Sequence, residues 1–407
     1  MDKSSKRKFN ILVLANGSFP IGAASTNRLV SYCRGIVELG HLVKVVVLCP
    51  HEKENGPIDN FEISGIYKGI NYQHAAKTTI WPNSKLRKSL LLFKGLFNSI
   101  AIVRHEIYSK KIDLLFFGSG SSKFRYLIPF YIISRIYNIK LIREKNEYPA
   151  FELRKENYSV VYRYFARRYL FRFYDGMLIM TYPLIDYFRT ITRKSAKLEL
   201  LPMTVEPDRF NCSINNTLNQ RRQIVYTGSM WGNKDGVDIL IESFGLIANH
   251  IKDVDLLLIG DISNKTEYDK LRKKIDDIGL VDRVMFTGRI HRDDIPQYLC
   301  KASVLVLSRP TSFQATGGFP TKLGEYLATG IPVVITKVGD IPRYLEDRKN
   351  AFLAEPDSAE AFAQKLTEVL SQPELARKIG LEGKRLTENV FNYKKQAERI
   401  IEFINSL

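Results

Sequence analysis

The chain has 407 residues, with 61 Lys+Arg against 43 Asp+Glu for a net charge of +18, and 45% of its residues are apolar. That apolar content supports a sizeable core and excludes a disordered chain, and the length suits two domains of about 200 residues each. No apolar run reaches the roughly 18 residues of a membrane span, and the four scattered cysteines, Cys33, Cys49, Cys212 and Cys300, read as reduced thiols of a cytosolic protein, not as a disulfide frame or zinc site.

The first strand is Ile11–Ala15, too short for the apolar segment of a signal peptide. It runs into Gly17–Ser25, which holds Gly22 and Ala23 and lacks the GxGxxG dinucleotide fingerprint. Arg28, just inside the next helix, either meets phosphate or supports this loop. A second strand, Val43–Leu48, follows. Residues 83–111 then read as one long helix, with Leu86, Leu90, Phe93, Phe97, Ile100, Val103 and Ile107 recurring at three and four residues among seven lysines and arginines. Strands Leu114–Phe117, Lys140–Arg143 and Met177–Met180 complete this half. Two turns follow strand ends, where open α/β sheets bind ligands. One is Gly118–Ser121, with Ser119. The other is Arg143–Tyr148, with Glu144, Asn146 and Glu147. Glu144 and Glu147 either meet ligand hydroxyls or pair with Arg143 or Lys145. A second basic and aromatic cluster spans 162–172.

Residues 1–210 hold 34 Lys+Arg and 17 Asp+Glu, a net +17, whereas the remainder holds 27 and 26. A basic half joined to a neutral half suggests an anionic partner for the first: anionic lipid, a lipid pyrophosphate, an acidic glycan or nucleic acid. Plain solubility is the alternative. The apolar stripe of 83–111 either faces the core or, with its basic neighbours, docks on an anionic membrane surface.

The boundary falls in 201–222, which has two prolines, an Asn cluster and no apolar period. Strand Gln223–Tyr226 then runs into a loop with Gly228, Ser229 and Lys234, and a helix follows over 237–248. Strands Leu256–Ile259 and Val284–Phe286 come next. Asp253 and Asp255 fit an Asp-x-Asp metal pattern, but they stand at the wrong end of their strand. Arg289 and Ile290 follow the strand at 284–286. Strand Val304–Leu307 empties into a loop rich in Ser, Thr and Gly that ends at Gly317-Gly318-Phe319-Pro320-Thr321-Lys322-Leu323. A helix opens there and carries Glu325, and the strand Val333–Ile335 follows. Glycines let a ligand approach the backbone, helix-start amides attract phosphate, and Glu325 can accept hydrogen bonds from ribose hydroxyls. This unit suits a nucleotide diphosphate; an ordinary βαβ crossover is the alternative. Alternating strands and helices in two series predict two doubly wound domains.

The stretch Gly317-Gly318-Phe319-Pro320 with Glu325, and the downstream residues 330–347, resemble the retaining glycosyltransferases of family 4. That resemblance implies the GT-B fold: two Rossmann-like domains facing each other across a cleft. The expected domains are an acceptor-binding domain over 1–210, a nucleotide-sugar donor-binding domain over 211–390, and a helix over 391–407 that packs back on the first. The resemblance makes Lys234 and Glu325 the catalytic candidates. It puts Gly228, Ser229, Lys234, Arg289, Ile290 and residues 317–323 with Glu325 around the donor. Gly22, Ala23, Arg28, Ser119, Glu144, Asn146 and Glu147 become candidates for the acceptor or sugar. Two departures stand out. Gly317 replaces the family's first acidic residue, and Ser229 or Met230 stands where the family has an arginine that joins the lysine on the diphosphate.

The expected activity is therefore transfer of a sugar from a nucleotide-diphosphate sugar to a glycan or lipid-linked hydroxyl, without a metal or other cofactor, in cell-surface polysaccharide or glycolipid synthesis. The expected place is the cytoplasm, on the inner face of the membrane. The rivals are a GT-B nucleotide-sugar epimerase and a basic nucleic-acid-binding protein. The second rival lacks any helix-turn-helix, zinc-finger or RNP-like signature.

Overall fold

A computed structural model describes residues 7–56, 58–120, 123–150, 158–212, 221–230 and 234–407. The chain forms two compact units, Met1–Thr204 with Tyr393–Leu407, and Val205–Asn392.

In the first unit, strands β1 (Asn10–Asn16), β2 (Leu42–Val47), β4 (Ser64–Tyr67), β5 (Ile70–His74), β7 (Leu114–Gly120), β8 (Lys140–Lys145), β9 (Gly176–Ile179) and β10 (Lys197–Leu200) form one sheet. Their order is β10-β9-β8-β7-β1-β2-β5-β4. All neighbours pair in parallel except β4 with β5. Strands β3 (Glu52–Lys53) and β6 (Ile80–Trp81) pair separately. The helices are α1 (Ala24–Glu38), α2 (Lys85–Lys110), α3 (Phe124–Ile136), α4 (Val160–Tyr169) and α5 (Tyr182–Ile191).

Alternation along β1 divides the core. Leu12 and Leu14 enter one cluster with residues of α2, α3, α4 and α5, while Ile11, Val13 and Ala15 enter another with residues of α1 and of the final helix, Tyr393–Ser406. That final helix lies along α1: the Tyr393 hydroxyl is 2.9 Å from Glu38 Oε2, and Arg34 stacks over the Tyr393 ring. Strands β3, β4, β5, β6 and β10 lack a sequence expectation. They are short or polar, and an edge strand such as Lys-Leu-Glu-Leu of β10 carries little apolar signal.

The second unit has one parallel sheet in the order β13-β12-β11-β14-β15-β16. Its strands are β11 (Arg222–Thr227), β12 (Val254–Ile259), β13 (Val284–Gly288), β14 (Val304–Leu307), β15 (Val333–Thr336) and β16 (Phe352–Ala354). Its helices are α6 (Val237–Ala248), α7 (Lys265–Asp277), α8 (Ile295–Lys301), α9 (Phe313–Gly317), α10 (Thr321–Thr329), α11 (Ile341–Tyr344), α12 (Ala359–Ser371) and α13 (Pro373–Asn389); Tyr393–Ser406 of the first unit is α14. Residues 205–210 belong to this unit, since Val205 bridges to Asn392 and Arg209 reaches Glu325.

Two features correct or refine the sequence reading. First, Cys212 and Cys300 form a disulfide, with 5.1 Å between their Cα atoms; Cys33 and Cys49 are buried thiols outside it. The partners are 88 residues apart, and only the packing of α8 beside the segment after Phe210 brings them together. Second, the apolar stripe of α2 splits. Val103 and Ile107 are buried, but Leu86, Leu90, Phe93 and Phe97 are 62 to 71% exposed. The helix packs instead through Gly95 and Ser99, roughly opposite the exposed residues at 3.6 residues per turn. A Cβ at Gly95 would lie 2.9 Å from the Leu48 carbonyl, so the small residue sets the approach. Ile132 and Ile136 of α3, and Val160, Val161, Tyr164 and Phe165 of α4, are also exposed in this helical layer. Among the described residues no helix is long and apolar enough to cross a membrane.

The disulfide predicts a redox-dependent stability. Closing an 88-residue separation contributes up to about 4.6 kcal/mol in the chain-entropy account. Thermal unfolding should shift to lower temperature in dithiothreitol, and a Cys212→Ser/Cys300→Ser variant should unfold at that lower temperature with or without reductant.

Candidate donor and acceptor sites

Strands β11 and β14 are neighbours, with Ile224 opposite Val304 and Val225 opposite Leu305. From β11 the chain winds outward to β12 and β13; from β14 it winds the other way to β15 and β16. Ligands of open parallel sheets bind beyond the carboxyl ends at such a reversal. The segments leaving these ends are 228–236 and 308–321. Within the first, Trp231, Gly232 and Asn233 lie outside the described residues.

Charged groups are dense at this point. Lys322, on the first turn of α10, sends Nζ to Asp235 Oδ2 at 2.6 Å and to the Tyr226 hydroxyl at 3.2 Å. Arg309, at the end of β14, is 2% exposed and holds Nε 3.7 Å from Asp235 Oδ1. Two glycines permit this arrangement. A Cβ at Gly228 (φ +147°) would lie 1.8 Å from Lys322 Nζ, and one at Gly236 (φ +65°) would lie 2.1 Å from the Ser308 carbonyl. The Ser308 hydroxyl donates to Gly236 O at 2.7 Å and ties the two segments together. Burial works against a charged Asp235, but Lys322, Arg309 and Lys234 outweigh it and hold the carboxyl below its usual range. Burial depresses the Lys322 ammonium, and Asp235 opposes that shift. Lys234 is exposed at the mouth of this cluster, and Ser229 is exposed beside it.

The loop expected over 308–320 contains a helical turn, α9, because the Ser312 side chain caps it by accepting from Ala315 N at 3.0 Å. Gly317 ends α9, and Gly318 leads to Phe319, which is buried against Tyr344 and Phe391. Phe319 thus anchors the loop. Helix α10 begins at Thr321 after Pro320, and Leu323 N closes on Pro320 O. Glu325 lies on its second turn. Its Oε1 is 3.5 Å from Arg209 Nη1, and Arg209 also donates to the Arg292 carbonyl at 3.0 Å. Burial raises the Glu325 carboxyl above its usual range, and Arg209, Arg292 and Lys322 oppose the shift. Thr227 N donates to the Tyr326 hydroxyl at 2.7 Å and locks α10 to the end of β11. Arg289, exposed, and Ile290 follow the end of β13.

Lys234, Lys322, Glu325 and the glycines therefore gather at the β11 and β14 ends. Asp235, Arg309, Arg209 and Tyr226 were not expected there. Arg309 carried one signal, a charge two residues after an apolar strand. Asp253 and Asp255 stand at the start of β12 and pair with arginines: Asp253 with Arg222, and Asp255 with Arg221 and Arg283.

In the first unit the order also reverses, between β1 and β7. Gly22 and Ala23 lead into α1, where the Thr26 hydroxyl donates to Ser18 O at 2.7 Å. Arg28 and Glu144 form a buried ion pair, 2% and 3% exposed. Glu144 thus pairs with Arg28 and not with Arg143 or Lys145. Arg143 instead donates to the Tyr174 hydroxyl at 3.1 Å. Glu144 Oε2 is buried with no hydrogen-bond partner among the described residues. Asn146 and Glu147 are half-buried at the end of β8. Ser119 lies on β7, with its side chain outside the described ones, and Ser121 is outside them altogether. Removing one partner of a buried pair strands the other charge, at a cost of about 3–5 kcal/mol. Glu144→Ala should therefore lower the urea midpoint strongly, and Arg28→Met/Glu144→Leu should recover most of the loss.

Residues 221–372 match the family model described as Glycosyl transferases group 1. The GDP-mannose-dependent alpha-(1-6)-phosphatidylinositol monomannoside mannosyltransferase of Mycobacterium tuberculosis is 25% identical over 255 residues, 59% of this chain and 64% of that protein. The amylovoran biosynthesis glycosyltransferase AmsK of Erwinia amylovora is 27% identical over 215 residues, 52% of this chain and 51% of that protein. The chain thus spans less than two thirds of these curated relatives. The crystal structure of Anabaena Alr3699/HepE in complex with UDP and glucose superposes with a TM-score of 0.72 at 17% identity, covering 98% of this chain and 100% of that one. Sucrose-phosphate synthase from Thermosynechococcus elongatus gives 0.71 at 16% identity, with 98% of both chains covered. The two Rossmann-like units are those of the GT-B fold, and the second of them is a domain of the Glycosyl transferases group 1 family.

Proposed function

We propose that the chain is a retaining glycosyltransferase that moves a sugar from a nucleotide-diphosphate sugar to a hydroxyl of a glycan or lipid-linked acceptor, in cell-surface polysaccharide or glycolipid synthesis. The observation that carries this reading is the meeting of Lys234, the start of α10 and Glu325 at the strand-order reversal of the second unit. Helix-start amides and a lysine suit a diphosphate whose charge grows as it leaves. Glu325, one turn further on, suits the ribose hydroxyls. Arg289 and Ile290 suit the base. The acceptor oxygen attacks the face from which the diphosphate departs. Asn146 and Glu147 at the end of β8 are the groups offered to acceptor hydroxyls, with Glu144 and Arg28 beneath them. The activities for which the relatives are named favour transfer over the epimerase and nucleic-acid alternatives. No metal is assigned, since Asp253 and Asp255 are engaged by arginines away from this site.

We also assign the exposed helical layer of the first unit to an anionic lipid surface. Leu86, Leu90, Phe93 and Phe97 stand out from α2 among Lys85, Arg87, Lys88 and Lys94, which are exposed as well. Apolar insertion with flanking cations is the physics of a helix lying on a membrane, and each such cation near an anionic surface contributes about 1 kcal/mol. This would hold the enzyme at the cytoplasmic face, where lipid-linked acceptors lie.

A panel of UDP-, GDP- and ADP-sugars, run in EDTA, tests the catalytic reading. One donor should raise the unfolding temperature and support transfer. Stabilisation by none would overturn the reading, and activity restored only by magnesium or manganese would overturn its metal-free part. With that donor, Glu325→Ala should cost about 1.5–3 kcal/mol of binding, the range for a hydrogen bond to a charged group. Because the Glu325 carboxyl is raised, the wild-type affinity should begin to fall, as pH is lowered, above the range of an ordinary glutamate; in Glu325→Gln this step should vanish.

Vesicle co-sedimentation of the full chain tests the lipid assignment. Binding to anionic vesicles should weaken with salt and fall sharply in Phe93→Asp/Phe97→Asp. Equal sedimentation of that variant, or none of the wild type at low salt, would remove the assignment.

A further inference from the structure

The site as described holds one lysine at the position expected for the diphosphate, Lys234, while the position of the second cation is taken by Ser229 or Met230. Ser229 is exposed, and Met230 is an apolar side chain only 4% exposed. The loop also carries an extra residue, Asp235, between Lys234 and Gly236.

We propose that Lys322 supplies the missing second cation for the leaving diphosphate, and that Asp235 is the positioning residue that aims it. The proposal rests on the nucleotide-sugar reading above. Lys322 springs from the first turn of α10, beside the amides that begin that helix, and its side chain crosses to the end of β11. Three contacts fix its ammonium there: Asp235 Oδ2 at 2.6 Å, the Tyr226 hydroxyl at 3.2 Å, and the Tyr226 ring with its centroid 4.5 Å away. Gly228 keeps the path open, since any side chain there would collide with Nζ. The side chain keeps 17% of its surface exposed, so it is held in place and still reachable.

A purely structural role, neutralising Asp235, accounts for less. The guanidinium of Arg309 is already buried against the other oxygen of Asp235. Lys322 adds a second cation there, and Lys234 acts on the same carboxylate as a third. Bringing like charges together is unfavourable unless an anion joins them. A diphosphate carries at least two negative charges and suits this gathering of cations. Tyr226, whose hydroxyl reaches Ser229 O at 2.7 Å and Asp235 Oδ2 at 3.0 Å, and Asp235 itself hold the ammonium in place and remove the rotamer freedom a lysine otherwise loses on binding.

The chemical step conserves charge. The bond from the sugar anomeric carbon to the diphosphate oxygen breaks, and its electron pair stays on that oxygen. The acceptor oxygen bonds the anomeric carbon, and its proton leaves to the departing phosphate or to water. Lys322 stays protonated throughout. It opposes the charge that builds on the leaving oxygen, so its effect should fall on turnover more than on ground-state binding.

The test uses the full chain and the donor found in the panel above. Lys322→Met should lower kcat by about 10²-fold, the scale for losing one preorganised charge-stabilising group, with a smaller change in donor KM. Lys322→Gln keeps a donor for Asp235 without the charge and should behave alike, which separates lost charge from lost packing. Adding Ser229→Arg to Lys322→Met returns a cation to the exposed loop and should restore part of kcat. Asp235→Asn should lower kcat in the wild type and have little further effect in Lys322→Met, as coupled residues do. Unchanged kcat in folded Lys322→Met and Lys322→Gln overturns the cation role, as does a failure of Ser229→Arg to raise kcat. Equal losses from Asp235→Asn with and without Lys322 overturn its positioning role. Calorimetry with UDP, GDP and ADP separates the levels. If the wild type binds none of them, the nucleotide-sugar reading falls and this proposal with it. If it binds one and the variants turn over normally, this proposal alone falls.

Discussion

Strands β11 and β14 touch through Ile224–Val304 and Val225–Leu305, and the whole site of the second unit hangs on that short parallel pairing. Parallel neighbours send their chains out at the same edge of the sheet, so the segments after Thr227 and after Leu307 emerge side by side. One carries Asp235 and Lys234; the other carries Arg309, Ser308 and, after α9, the start of α10. Gly236 and Ser308 meet backbone to backbone, and the contact leaves no space for a Cβ. Slide the register by one residue and the alternation would turn the inward faces out, taking this contact with it.

Burial then sets the rules for the charges. Asp235 sits where a lone carboxylate would be costly, and Lys322 and Arg309 stabilise its ionised form. Tyr226 joins the same group through its hydroxyl. Glu325 sits under weaker control, with Arg209 at the long end of contact, 3.5 Å away, and its carboxyl is raised. The two acids of the site thus differ in kind. Asp235 is firmly ionised and committed to its neighbours; Glu325 is less settled and gains from a partner that donates hydrogen bonds.

The first unit places its charges differently. Its buried Arg28 pairs with Glu144, and the buried Asp175 draws in Arg135 and Arg193 from more exposed positions. Much of its excess lies on exposed faces, where α2 and α4 set aromatic and aliphatic side chains beside lysine and arginine. The periodicity of α2 misleads if read as a single stripe. The helix follows the core rule over its second half and departs from it over its first, because Gly95 and Ser99 let it lie close to the sheet through its small face. An apolar stripe in a sequence identifies a face that avoids water and does not say what covers it.

The sequence by itself determined the local and the periodic. The buried strands Val304–Leu307 and Val333–Ile335 are short β-branched and aliphatic runs with no helical period, and they form where that pattern puts them. Glycine and proline punctuation around 317–320 marked the helix start that carries Glu325, since its signals lie within a few residues of one another. The tertiary structure alone decided the pairings between distant residues: Arg28 with Glu144, 116 positions apart; Lys322 with Asp235, 87 apart; and Cys212 with Cys300, 88 apart. A charged or sulfur-bearing side chain carries no mark of its partner in its neighbours along the chain. Its partner is chosen when strands that are remote in sequence become adjacent in the sheet, and burial then makes that one choice the only affordable one.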